Sequence, residues 1–223
     1  MHEEIRVRHS AADQAEVVSD ELTRAKLEAA NSVRQAEWVR QLILASLDGR
    51  PFRLRTSTIL DLNRCAIDGL DAYAGNFRPG AVRIGESKHQ PPGGHLVAAL
   101  VEELCDYVND NWSSASSVHL ASMVMWRMNW IHPFTDGNGR TSRAASYLVL
   151  CAHSRALLAG EATIPDQIVA NRMPYYEALE ASDKRYDATR DLGADTVFEM
   201  EDLMRVMLAK QLKSAFDIAS GTT

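Results

Sequence analysis

Apolar residues recur every three or four positions through most of the chain, which is the spacing of helices that bury one face. The first such run, from Ala11 to Leu47, is rich in good helix formers and predicts one or two helices. The following Asp48-Gly49-Arg50-Pro51 should end it. The same pattern predicts further helices at 58–70, 95–109, 120–131, 144–158, 165–183 and 196–216.

Between these helices the residues 73–92 read as irregular, with a hairpin turning at Arg78-Pro79-Gly80. The chain has 223 residues, enough for one domain with a sizeable core or for a domain with an added helical arm. We therefore predict an N-terminal helical arm over residues 1–55, with a regulatory role left open. The main domain should cover 56–218, and a disordered tail 219–223.

Composition limits the partners. Lys and Arg total 24 against 30 Asp and Glu, an acidic balance that argues against nucleic acid as a partner. The cysteines Cys65, Cys105 and Cys151 are far apart in apolar surroundings, which predicts reduced, buried thiols without metal. No leader-like apolar segment begins the chain and no run has the length of a membrane span. We expect a cytoplasmic protein without membrane contact; secretion into a host stays open.

The segment from His132 to Arg143, His-Pro-Phe-Thr-Asp-Gly-Asn-Gly-Arg-Thr-Ser-Arg, concentrates the chemistry of phosphate transfer between two predicted helices. Histidine acts as a base near neutral pH, and a carboxylate such as Asp136 holds a hard cation. The Gly-Asn-Gly sequence can present backbone N–H groups to an anion, and arginines bind phosphate oxygens. A lone Gly-Asn-Gly is usually only a turn, so the prediction rests on the whole segment.

Local physics gives each position of this segment a role. Pro133 disfavours helical geometry before it, so the first helix should end near His132 and expose the imidazole at the loop mouth. Phe134 should anchor the loop in the core. A second helix should begin at Arg140, with its N-terminus favouring an anion and Arg143 on the same face as Arg140.

This segment resembles the signature of the Fic family, His-Pro-Phe-x-(Asp/Glu)-Gly-Asn-Gly-Arg-x-x-Arg, at every fixed position. The resemblance extends over roughly half the chain, from Asp71 to Asp183. Residues 75–84 are similar to the family's flap hairpin, and 171–179 to the segment bordering the nucleotide base. It implies an all-α fold, a Fic-type helical bundle with one short β-hairpin flap.

The resemblance also implies an activity: protein AMPylation, in which AMP moves from ATP to a Ser, Thr or Tyr hydroxyl of a target protein. His132 would be the general base and Asp136 would hold Mg²⁺. The remaining roles implied are phosphate binding by Gly137, Asn138, Gly139, Arg140 and Arg143, and contact with the base by Asn171, Tyr175 and Tyr176. Other nucleotidyl transfer, deAMPylation, and a toxin component restrained by a separate antitoxin remain alternatives, and so does a homo-oligomer.

Self-restrained Fic proteins carry (Ser/Thr)-x-x-x-Glu, whose glutamate pairs with the second motif arginine. No glutamate of this chain has Ser or Thr four residues before it. The resemblance therefore implies that Arg143 lacks that clamp and that the isolated chain is active. Asn31 and Gln35 have the spacing of the clamp but carry no charge, so a neutral clamp formed by residues 27–44 stays open. Inhibition by a separate partner chain stays open as well.

Overall fold

The computed structural model describes residues 10–11, 17–49, 51–85, 87 and 89–221. Within that part the chain is helical, as the sequence predicted, with one pair of very short strands. The strands are β1 (Ser10–Ala11) and β2 (Arg83–Ile84). The helices are α1 (Glu21–Leu47), α2 (Thr56–Ile67), α3 (Val97–Asp110), α4 (Ser117–Ile131), α5 (Asn138–Ser154), α6 (Ile164–Ala170), α7 (Met173–Thr189) and α8 (Phe198–Ser220).

The core is built around α4, which packs mainly against α5. Helix α4 itself carries buried residues on nearly every side, because neighbouring helices cover it all round. Met123, Trp126 and Met128 have no exposed surface, which confirms that these residues pack in the core. Helix α4 thereby forms a rigid support for the segment that follows it.

Helix α1 lies across α2 and α5. Asp20 caps it by accepting a hydrogen bond from the Thr23 backbone N–H. The buried face of α1 includes Val39 and Ile43, which belong to the main core. Helix α1 of the predicted arm is therefore packed onto the rest of the fold, whereas residues 1–9, 12–16 and 50 of the arm lie outside the described residues. The boundary of the arm at residue 55 stays a prediction.

Several predicted helix bounds were wrong, including the ends at 70 and 158, since α2 ends at Ile67 and α5 ends at Ser154. The run at 165–183 is interrupted at Asn171 and Arg172, where α6 ends and α7 begins. Pro174 lies in the first turn of α7, where its missing N–H costs nothing. At the other end, α8 continues to Ser220, so residues 219 and 220 are helical and not part of a disordered tail. Thr222 and Thr223 lie outside the described residues.

The β element differs from the predicted hairpin in its pairing. Strand β2 pairs antiparallel with β1, so that Ser10 faces Ile84 and Ala11 faces Arg83. Ala11 is thus extended and does not begin the first helical run. The expected turn at Arg78 joins no paired strands: the Arg78 N–H donates to the carbonyl of Pro133. No helix in the described part of the chain is both long and apolar enough to cross a membrane.

Candidate active site

Helix α4 ends at Ile131, and His132 caps it in the left-handed conformation with φ 51° and ψ 60°. The end of the helix before Pro133 confirms the prediction from the sequence. The exposure of His132 differs from the prediction, because the residue is only 5% exposed and lies within the wall of a cleft. Its Nδ1 lies 3.3 Å from the Asn129 carbonyl, a contact that orients the ring.

The loop after His132 is held from inside. Phe134 is fully buried and packs against Phe77, as an anchor should. The Asn138 side chain accepts from the Phe134 N–H at 2.9 Å and donates to the Phe134 carbonyl at 2.8 Å. Asn138 therefore uses its amide to close the loop, so any contribution of this residue to anion binding must come from its backbone.

Gly137 begins α5 with φ 76°, a conformation that favours glycine. A Cβ there would also lie 2.7 Å from Ile67 and 3.1 Å from the Asn63 amide nitrogen. That amide donates to the Asp136 carbonyl at 3.0 Å, and its oxygen accepts from the Gly75 N–H. Asn63 is fully buried and fastens the loop to α2. The sequence reasoning missed it, because an asparagine inside a helical run has no local signal.

The Asp136 carboxylate is partly exposed and already has two donors. Its Oδ1 accepts from the Gly137 N–H at 2.6 Å, and its Oδ2 accepts from Arg140 Nη2 at 3.0 Å. A second cation, Arg24, stands 3.9 Å from Oδ2. A carboxylate has about four lone-pair positions, so one oxygen face remains available to a further ligand.

The first turn of α5 points into the same cleft. Helix α5 has no side-chain cap, and its first intrahelical donor is Thr141, which bonds to the Gly137 carbonyl. The N–H groups of Gly139 and Arg140 precede that bond, so they have no acceptor within the helix. Together with the helix dipole they favour an anion at this end. The helix begins at Asn138, two residues before the predicted start.

Arg143 lies one turn further along α5. Gly139 makes room for it, since a Cβ at that glycine would stand 3.1 Å from an Arg143 Nη atom. Burial lowers the pKa of the Arg143 guanidinium, and the nearby Arg172 and Arg140 lower it further. No hydrogen bond or ion pair joins it to another described residue. A desolvated cation of this kind is stabilised by a bound anion.

These groups share one polar cleft of about 540 Å³, the motif cleft, whose lining includes residues 136–140 and Arg143. Ile84 of β2, Ile168 of α6, and Tyr175 and Tyr176 of α7 also line it. The structure does not bring the predicted Asn171 into this lining. That residue is exposed and ends α6, and Arg172 lines the cleft in its neighbourhood.

Arg78 is a second residue whose role only the structure shows. It is 3% exposed, and its Nε donates to the His132 carbonyl at 2.8 Å. The other nitrogens donate to the carbonyls of Gly80, Pro92 and Ile131. Strand β2 lies in the segment between Gly80 and Pro92. The Arg78 guanidinium thus bonds to both ends of this segment and also to the end of α4. The sequence placed Arg78 in a turn, because the partners of its side chain are far away along the chain.

Helix α1 contributes Arg24, Glu28 and Ser32 to the wall of the motif cleft. Glu28 stands 3.5 Å from Arg24 and 4.0 Å from Arg140. The residues proposed for a neutral clamp face elsewhere. Asn31 donates to the Asp68 carbonyl and Gln35 to the Leu62 carbonyl, so both amides hold α1 on α2.

The segment that carries this geometry is similar to known proteins. Residues 53–150 match the model of the Fic/DOC family. Curated proteins named protein adenylyltransferase Fic from Drosophila willistoni and Drosophila virilis are 39% and 38% identical over 87 residues. That stretch is 38% of this chain, and it spans only 17% and 18% of those relatives.

Solved structures share the fold over a longer range. A Fic domain containing signaling protein from Bacteroides thetaiotaomicron aligns with a TM-score of 0.69 and 20% identity, over 87% of this chain and 74% of that one. Fic-1 from C. elegans (residues 134–508) aligns with a TM-score of 0.67 and 16% identity, over 93% and 56%. The matched residues 53–150 contain the whole motif loop, so this part of the chain is similar to the Fic/DOC family.

Proposed function

We propose that this protein transfers AMP from ATP to a Ser, Thr or Tyr hydroxyl of a target protein. The observation that carries the proposal is the meeting of a histidine, a partly exposed carboxylate, a helix N-terminus and two arginines in one cleft. Transfer of phosphoryl-type groups is mostly positioning and charge stabilisation, which these groups provide. The curated relatives, named as protein adenylyltransferases, support the same activity.

In this mechanism the target hydroxyl lies next to the His132 imidazole. His132 removes the proton as the hydroxyl oxygen attacks the α-phosphorus of ATP. The bond from the α-phosphorus to the bridging oxygen breaks in line with the attack, and pyrophosphate leaves. The products are AMP on the target oxygen, pyrophosphate, and a proton on His132.

The triphosphate would lie along the start of α5. The N–H groups of Gly139 and Arg140 would bind phosphate oxygens, and Arg143 would bind the terminal phosphate. Glycine at 137 and 139 permits the close approach of backbone to phosphate. The base would contact the side chains of Ile84, Tyr175 and Tyr176, which line the same cleft.

Asp136 fits a magnesium site. Mg²⁺ at phosphate-transfer sites uses one or two carboxylates together with substrate phosphates, and needs no protein cage. The described residues contain no cluster of three or more acidic, histidine or cysteine ligands, so a cation here would depend on the nucleotide. When bound, Mg²⁺ would neutralise charge on the phosphates, and Asp136 would orient it with the carboxylate oxygen that its donors leave free.

The N-terminal arm, residues 1–55, is proposed to regulate this site. Its helix α1 places Glu28 within 4.0 Å of Arg140, at the edge of the proposed triphosphate site. A carboxylate at that position repels a polyanion. An antitoxin or a second copy of the chain is proposed to regulate the triphosphate site from the side of α1. A cytoplasmic location is also part of the proposal.

Incubation of the purified chain with Mg²⁺, α-labelled ATP and cell lysate tests the proposed function. We expect label to enter protein, and mass spectrometry to find AMP on hydroxyl side chains. The His132→Ala variant should give no comparable labelling, and a nucleotide panel would identify transfer of another nucleotide. Equal labelling by wild type and variant, or label from γ-labelled ATP alone, would exclude AMP transfer at this site.

A further inference from the structure

A second cleft of about 510 Å³, the apolar cleft, lies between α1, α5, the 157–160 loop and α6. Its walls carry mostly carbon, in contrast to the motif cleft. The apolar side chains that define it are Val39, Ile43, Ala144, Tyr147, Leu157 and Val169. Its size and lining are those of sites that hold small organic ligands.

The mouth of the apolar cleft leaves apolar surface in water. Leu157, in the loop before α6, is 41% exposed, and Val169, in the last turn of α6, is 50% exposed. Covering such side chains is favourable in proportion to the area removed from water. An occupant with an apolar body would gain this free energy, whereas a purely polar ligand would not.

One end of the apolar cleft is cationic. Arg140 and Arg143 line both clefts and stand between them. Arg140 is held by Asp136, but Arg143 has no ion pair or hydrogen bond with another described residue. Burial lowers the pKa of the Arg143 guanidinium, and the nearby Tyr175 partly opposes this shift. The charge complement of this end is an anionic group.

We propose that the apolar cleft binds a small amphipathic anion, a carboxylate on an acyl or aromatic body, with its acid group on Arg143. The body covers Leu157 and Val169, and the acid group compensates the guanidinium. A neutral apolar molecule satisfies only the first of these requirements. The proposed function places the terminal phosphate of ATP on the same guanidinium. If that function is right, the ligand and ATP cannot bind at the same time; this part of the inference rests on the proposed function.

Calorimetry with decanoate, in the absence of nucleotide, tests the binding site independently of any activity. We expect saturable binding to the wild type and at least about tenfold weaker binding of decanol, which has the chain without the charge. Val169→Asp places a carboxylate at the mouth and should weaken decanoate by at least about tenfold. Val206→Asp makes the same change on α8, at a valine that is 67% exposed and outside the cleft, and should leave binding unchanged.

Arg143→Gln tests the position of the acid group. A charge-assisted hydrogen bond is lost, so decanoate should bind about tenfold to a hundredfold more weakly, while decanol should not change. Circular dichroism of each variant confirms that the fold is retained. Absence of decanoate binding, equal weakening by Val206→Asp, or equal affinity in Arg143→Gln would each overturn the proposal. Concentration-dependent dimers that Val169→Asp dissociates, without decanoate binding, would identify a second copy as the occupant instead.

Competition separates this inference from the proposed function. If both are right, the apparent Kd for ATP rises linearly with the concentration of free decanoate, with a slope set by the Kd of decanoate. ATP that binds equally well with saturating decanoate would overturn mutual exclusion. Failure of ATP to bind at all would contradict the proposed function, while decanoate binding and its loss in Val169→Asp would still establish the second site.

Discussion

The motif loop and the face of α1 that lies beside it reach the same cleft by different physical means. The loop is fixed from within, since the Asn138 amide bridges the Phe134 backbone and the buried Asn63 holds the Asp136 carbonyl. The α1 face reaches the cleft through Arg24 and Glu28, whose side chains are 34% and 42% exposed. Buried hydrogen bonds are costly to leave unmade, whereas exposed ion pairs are worth little.

This difference indicates how the two regions should respond to substitution. Groups on the loop are held in one geometry, so removing one should change chemistry by orders of magnitude. Groups on α1 act across a partly solvated gap, and their removal should change binding by small factors. The four predictions below test this contrast, beginning with the largest effect.

His132→Ala should lower the rate of AMP transfer by about 10²–10⁴-fold, the usual range for a lost general base. ATP affinity should change little, because His132 acts on the target hydroxyl. Rate measurements with labelled ATP, together with calorimetry for ATP binding, give both quantities. Comparable turnover in the variant would show that His132 is not the base.

Arg78→Gln should lower kcat by about 10²-fold, because small misplacement of a reacting group can cost that much. The variant loses donors to the carbonyls of His132 and Pro92, so the base and the segment carrying β2 both shift. Arg78→Lys should recover only part of the rate, since an ammonium cannot reproduce the guanidinium geometry.

Arg64→Gln is the matched control for Arg78. Arg64 pairs with Asp61 on the exposed side of α2, where its side chain is 58% exposed. Steady-state kinetics should show normal kcat for this control and a drop in kcat larger than any rise in KM for Arg78→Gln. Equal kcat in the two variants would mean that the buried guanidinium does not position His132.

Asp136→Asn should weaken Mg²⁺-dependent ATP binding by about tenfold to a hundredfold, the effect of losing one charged ligand. The amide keeps the shape of the side chain but not its charge. Calorimetry with ATP, in the presence and absence of Mg²⁺, measures the metal dependence directly. If the variant responds to Mg²⁺ as the wild type does, Asp136 is not the cation ligand.

Glu28→Gln should tighten ATP binding by up to about fivefold, since exposed ion pairs contribute about 0.2–1 kcal/mol. The direction follows from removing a negative charge beside Arg140, where the triphosphate is proposed to bind. Glu37→Gln is the control, because Glu37 pairs with Arg40 on α1 and lines neither cleft. An effect of tenfold or more at Glu28 would contradict the contrast and make α1 a strong restraint.

Within the motif, short-range chemistry made the sequence informative. Pro133 disfavours a helical residue before it, and α4 ends at Ile131 as predicted. Glycine at 137 permits the left-handed start of α5, so the loop and both helices follow from neighbouring residues. The burial of Phe134 follows from its place as the lone large apolar residue of the loop. His132, Asp136 and the arginines therefore share one cleft largely because they are close along the chain.

Contacts between distant residues were decided by the tertiary structure alone. Arg78 and His132 are 54 residues apart, and Asn63 and Asp136 are 73 apart. Nothing local distinguishes such a residue from one facing solvent, because its partner exists only when the helices pack. For the same reason the sequence could not predict the approach of Glu28 to Arg140 or the pairing of β1 with β2. Sequence alone indicated the groups that are proposed to carry the chemistry, and packing decided which other residues hold those groups in place.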